Sequence, residues 1–135
     1  MSGILAGVAQ TVIATLVLGA LGWIIGPLKW FFHNRELRKL ISNDRRFLFV
    51  FDTDRNGAKD ITFSEDGSIG LGSNSQECTW KIRRGAIEIY ASDGKVYSRF
   101  RRDRKDGILY NTNDFDLRSK HGQYMKPRLI KVGGA

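Results

Sequence analysis

The amino-terminal run constrains this chain more than any other feature. Residues 4–28 carry no charged side chain, and all 22 Lys and Arg lie from Lys29 onward. The stretch Ile4 to Gly26 is 23 residues of mostly Leu, Ile, Val, Ala and Gly. As an α-helix at about 1.5 Å per residue it covers about 34 Å, against a hydrocarbon core of about 30 Å. A cleaved signal peptide would carry a basic n-region, and nothing before Lys29 is positive except the amino terminus itself. The expectation is a transmembrane helix over residues 1–28.

The flanks orient that helix. Lys29, Arg35, Arg38, Lys39, Arg45 and Arg46 follow it, opposed only by Glu36 and Asp44. The positive-inside rule therefore puts the carboxy-terminal part in the cytoplasm and the amino terminus outside, as a single-pass membrane protein. One cysteine, Cys78, suits a reducing compartment. One Cys and two His also exclude a disulfide scaffold and a Cys/His zinc centre, so no metal or cofactor is expected. Trp23, Trp30, Phe31 and Phe32 suit the cytoplasmic interface, where aromatic rings concentrate.

Gly3, Gly7, Thr11, Thr15 and Gly19 recur every four residues and form a small-residue stripe, with Gly22 and Gly26 as a further pair. Such stripes let helix backbones approach, which points to a homo-oligomer built through the span. Gln10 suits an interhelical hydrogen bond or a pore wall. Pro27 breaks or kinks the helix after the span. Residues 29–44 then read as a basic juxtamembrane connector. Residues 34–42 form two helical turns in it, with Leu37, Leu40 and Ile41 on one side. Two roles fit this connector: a stop-transfer flank lying on acidic headgroups, or a lever between domain and membrane.

From Arg45 the hydrophobic period changes to two, with turn signals every 8–12 residues. Phe47, Phe49 and Phe51 alternate before Asn56-Gly57, Ile61 and Phe63 before Asp66-Gly67, and Ile69 and Leu71 before Gly72. Cys78, Trp80 and Ile82 come before Arg84-Gly85, with Trp80 directed into the core. Ile87 and Ile89 come before Asp93-Gly94, Val96, Ser98 and Phe100 before Asp106-Gly107, and Ile108 and Tyr110 before Asn113-Asp114. The last run extends from about Gln123 to Val132. Asn-Gly and Asp-Gly supply the positive φ angles of tight hairpins. The fold class expected is all-β. Residues 45–135 should form a small antiparallel up-and-down β-barrel of about eight strands, behind the transmembrane helix. A two-sheet sandwich gives much the same pattern.

No catalytic constellation emerges, and an enzyme is not expected. Asp52-Thr-Asp54-Arg-Asn56-Gly57 mimics the start of an EF-hand loop, but its twelfth position is Phe63 rather than a bidentate Glu, so a hairpin turn is the better account. The net charge of +8 favours an anionic partner: nucleotide, nucleic acid or acidic lipid. Within Lys95–Lys105, strand alternation puts Tyr97, Arg99 and Arg101 on one face, a set able to stack a base and bind phosphate. A solvated outer face is the plainer account of the same residues. The polar stretch Asn111–Tyr124 adds Asn111, Asn113, Arg118 and Tyr124 as candidate ligand contacts. Asp103 and Asp106 interrupt the basic run and no nucleic-acid motif surrounds it, so a DNA or RNA polymer is not the expected partner.

The span at 4–26 followed by the strand series from Phe47 to Val132 resembles the transmembrane β-barrel effectors of CBASS, the bacterial cyclic-oligonucleotide antiphage systems. That family is described with two membrane helices, and here residues 4–26 supply one. The resemblance implies a bacterial inner-membrane location and a cytoplasmic barrel that binds a cyclic dinucleotide. It also implies helices that assemble and breach the bilayer to stop the infected cell. A different class competes with it: a membrane-tethered, lipocalin-like carrier or scaffold for an apolar molecule or a protein.

Overall fold

The computed structural model describes residues 28–42 and 44–128. The expected transmembrane helix and its Gly3/Gly7/Thr11/Thr15/Gly19 stripe lie outside these residues. Among the described residues, no helix is long and apolar enough to cross a membrane.

Period-two patterning and the glycine-marked turns produce seven strands: β1 (Phe47–Asp52), β2 (Gly57–Ile61), β3 (Thr79–Arg83), β4 (Ala86–Tyr90), β5 (Val96–Arg102), β6 (Leu109–Asn111) and β7 (Tyr124–Pro127). Every pairing is antiparallel, in the order β2-β1-β7-β6-β5-β4-β3, and the sheet curls into a half-barrel. The turn between β3 and β4 shows how local sequence makes the hairpins. Arg84 (φ 51°) and Gly85 (φ 75°) are both left-handed, as a two-residue type I′ turn requires.

The expected strand at Ile69 and Leu71 is the main departure from the eight-strand barrel. Only isolated bridges form there, Phe63 with Ile69 and Ser68 with Thr79. Ile69 N–H donates to the Cys78 carbonyl and Trp80 N–H to that of Gly67, each at 2.9 Å, so this short piece links the edge strands β2 and β3. The apolar run there is too short between its two turns to carry a ladder of its own. Phe51 departs as well. It does not follow Phe47 and Phe49 inward, because the register slips between Val50 and Asp52 and a bulge leaves its ring on the surface.

The concave face is packed solid. Phe47, Phe49, Ile61, Ile87, Ile89, Phe100, Leu109 and Met125 are all fully buried. Phe49 meets Phe100 edge-on at 5.7 Å, and Phe63 meets both Phe47 and Trp80 at 5.7 and 5.8 Å. Trp80 faces inward as expected, half-buried, with its indole N–H donating to the Ser64 carbonyl at 2.9 Å.

Residues 28–41 are helical (α1), and they are not a free connector. Leu37 and Ile41 are 2% and 3% exposed and belong to the core. The apolar stripe seen at Leu37, Leu40 and Ile41 lies on the side of the helix that also carries half-buried Trp30, His33 and Asn34, and that side packs against the sheet. Because neighbouring strands are antiparallel, their turns alternate between two ends of the sheet. α1 covers the end that carries the β3–β4 turn and the 103–107 turn. Asn34 Oδ1 accepts the Gly85 N–H at 2.7 Å, and the Arg104 guanidinium donates to His33 Nε2 at 2.6 Å.

Candidate functional site: a basic hollow beside the capping helix

Strand alternation sends Ile87, Ile89, Ser98 and Phe100 inward, which leaves Glu88, Tyr90, Tyr97, Arg99 and Arg101 on the outer face. The register sets Glu88 opposite Arg99. Arg99 holds Glu88 at 2.9 Å, Asp114 at 2.8 Å and Asp116 at 3.2 Å. These carboxylates, Asp116 foremost, raise the pKa of Arg99 still further, and the Thr112 hydroxyl together with Arg99 holds the Asp114 carboxyl below its ordinary value. Arg99 is therefore a clamp. It fastens the 112–118 loop to the outer face and has little charge left for a ligand.

Around this clamp is a hollow of about 310 Å³ lined by Arg83, Arg84, Glu88, Arg99, Arg101 and Asp114. Arg83 lies 3.6 Å from Glu88. Among the described residues, Arg84 and Arg101 make no ion pair, and both are exposed. The Arg101 guanidinium sits over the Trp30 ring, 5.4 Å from its centroid. A Cβ on Gly85 would come within 2.9 Å of the same ring. The hollow thus abuts the seam between α1 and the sheet.

The other candidates from sequence go elsewhere. Tyr97 and Arg118 border a second hollow of about 320 Å³ at the opposite end, with Ser75, Gln76 and Asp93. There Arg118 binds both carboxylate oxygens of Asp93 at 3.0 Å, and burial raises the Tyr97 hydroxyl pKa. Asn111 is buried and donates to Ser119 Oγ at 2.9 Å, while Asn113 takes φ 55° and accepts the Gly122 N–H at 3.1 Å. These two hold the 112–123 loop together. Tyr124 packs on Tyr110, with Lys126 against its ring. Of the seven residues, then, only Arg99 and Arg101 share the basic hollow. Sequence reasoning missed Arg83, Arg84 and Trp30. The available signal was an arginine in a turn position that ordinarily takes Asn or Gly.

The Asp52–Gly57 segment is a hairpin turn. Asp52 accepts the backbone N–H groups of Asp54 and Arg55, and Lys120 Nζ lies 2.8 Å from both Asp52 and Asp54. No cluster of three His, Cys, Asp or Glu side chains is placed to hold a metal among the described residues. Chemically, the hollow offers two guanidiniums without an ion pair, Arg84 and Arg101, beside the carboxylates of Glu88 and Asp114 that Arg99 engages. Forked donors of this kind match phosphate oxygens. No protein family, curated protein or solved structure matches the chain.

Proposed function

We propose that this chain is a non-enzymatic membrane effector. In this reading the half-barrel senses a phosphate-bearing nucleotide, of the cyclic dinucleotide class, in the hollow of Arg83, Arg84 and Arg101. The observation that carries the proposal is the pair of unpaired guanidiniums, Arg84 and Arg101, at the seam with α1. A phosphate taken by Arg101 competes with its cation–π contact to Trp30, a contact worth about 0.5–2 kcal/mol. Binding thereby biases how α1 sits on the sheet, and α1 leads directly into the apolar 4–26 segment. Such coupling requires the ligand to prefer one arrangement over the other. The small-residue stripe would then assemble the spans, in the manner of the CBASS effectors the chain resembles.

The lipocalin-like alternative fares worse where it needs a hollow interior, because the concave face is filled by Phe47, Phe49, Phe63 and Phe100. Its protein-scaffold form keeps one supporting feature, the wholly exposed Phe115 on the 112–118 loop.

The test is calorimetry of the full chain in detergent against cyclic di- and oligonucleotides. Arg84→Gly and Arg101→Gln should each weaken binding about tenfold or more, since a charge-assisted contact is worth about 1.5–3 kcal/mol. Arg84→Gly should also leave the fold as stable or more so, because glycine relaxes the left-handed turn. Unchanged affinity in both variants would exclude this hollow. Gly7→Leu with Gly19→Leu should abolish growth arrest on expression while leaving affinity intact.

A further inference from the structure

The geometry points to the α1-capped end of the domain as a docking surface for an anionic lipid bilayer, laid against the headgroups. The inference rests on the reading of residues 4–26 as a membrane span and adds which face of the domain the membrane meets.

α1 has two faces. Trp30, His33, Leu37 and Ile41 turn inward to the sheet. The opposite face begins with Leu28, Phe31 and Phe32, which are 47%, 59% and 55% exposed, and continues with exposed Arg35 and Lys39. Phe31 and Phe32 touch each other edge-on at 5.8 Å. Three large apolar side chains within two turns of helix, left open to solvent, mark an interaction surface.

What meets that surface is indicated by its surroundings. The 103–107 turn is tied to α1 through Arg104 and His33. That turn and the end of β5 present Arg102, Arg104 and Lys105, all exposed. The two acids among them, with exposed Glu36 on α1, offset part of this charge, while α1 adds Lys29, Arg35, Arg38 and Lys39. Asp103 accepts the Lys105 N–H at 2.7 Å, and Asp106 accepts the Tyr110 hydroxyl at 2.6 Å. At the opposite end, Lys120 and Arg118 pair with Asp52, Asp54 and Asp93, and exposed Arg55 and Lys95 bring the balance there to four cations against three acids. The capped end holds seven cations against three acids (Glu36, Asp103 and Asp106), so the larger positive excess lies around the exposed aromatic turn. The uncharged 4–26 run also joins the described chain at Leu28, on this face. An apolar aromatic centre with a cationic border matches an anionic membrane surface, where rings settle at headgroup depth and Lys and Arg meet lipid phosphates.

The experiment reconstitutes the full chain, with Cys78→Ser, into vesicles of phosphatidylcholine with and without phosphatidylglycerol. A bimane label is placed through Lys105→Cys at the capped end, or through Asn56→Cys at the far end, and spin-labelled lipids serve as quencher. The label at 105 should be quenched severalfold more than the label at 56 in anionic vesicles. That difference should shrink in pure phosphatidylcholine, and in the unmodified background when ionic strength is raised. Phe31→Ser with Phe32→Ser should reduce it too, with the circular dichroism spectrum checking that the sheet survives. Equal quenching at 56 and 105, or no dependence on lipid charge, overturns the docking surface while leaving the span intact. A chain that fails to float with the vesicles overturns the membrane span itself, a separate outcome.

Discussion

At the scale of single residues, three buried polar atoms lack a hydrogen-bond partner among the described residues: Arg45 Nε, Glu77 Oε2 and the Ser98 hydroxyl. Of these, Ser98 is fully buried on the inward face of β5. An unmet buried hydroxyl costs about 1–3 kcal/mol, so Ser98→Ala is expected to stabilise the protein by about 1 kcal/mol in chemical denaturation. A loss of stability of that size would instead mean that the hydroxyl has a partner. Arg99 is the opposite case. Its three carboxylates come from β4 and from a loop 15–17 residues further along the chain, and removing it would leave buried Glu88 only the Tyr90 hydroxyl at 3.1 Å and Arg83 at 3.6 Å. Alternation groups Arg99 with Tyr97 and Arg101 on one face, yet only the fold shows that this face is the outer one and that the charge of Arg99 is already spent.

At the scale of elements, α1 decides the most. Leu37 is 2% exposed in the core, and Leu37→Ala should lower stability by about 2–5 kcal/mol if the helix is integral to the domain. Gly85→Ala probes the same seam from the sheet side. A side chain there meets the Trp30 ring and a φ of 75°, with an expected cost of about 1–2 kcal/mol. Thermal melts of the full chain check both. A Leu37→Ala protein melting like the parent would return residues 28–41 to the status of a loose connector. The Leu37/Leu40/Ile41 stripe was visible in the sequence, but adjacency to an apolar span made the helix look like membrane flank. Its partners Gly85 and Arg104 lie 51 and 71 residues from their contacts, beyond any local pattern.

At the scale of the whole molecule, acid should be the weak side of the stability profile. The carboxyls of Asp52, Asp93 and Asp114 are held low by Lys120, by Arg118, and by Thr112 with Arg99; Asp66 and Asp106 are held low by Ser68 and Tyr110. Groups depressed in the folded state contribute stability that is complete above their unfolded value, near about 4, and is lost as pH falls through the lower folded values. The melting temperature should therefore fall as pH drops below about 4, and Lys120→Met should flatten part of that fall. A melting temperature unchanged between pH 5 and 3 would show that these pairs add nothing to the fold.

Hairpin positions and strand faces were determined by the sequence itself, because both are local. A period of two assigns each side chain a face, and Asn56, Gly67, Gly85, Gly94 and Gly107 take the positive φ their turns require. The tertiary structure decided which charges stay free. Arg84 and Arg101 are left without carboxylates because loop 112–118 folds over Arg99 instead, and the sum of those distant pairings cannot be read from neighbours in the chain. It also decided that the run around Ile69 forms bridges rather than a strand, and that Phe51 is carried outward by a bulge. The position of α1 across one end of the sheet has the same origin. Burying an apolar stripe depends on which surface the fold leaves open to receive it.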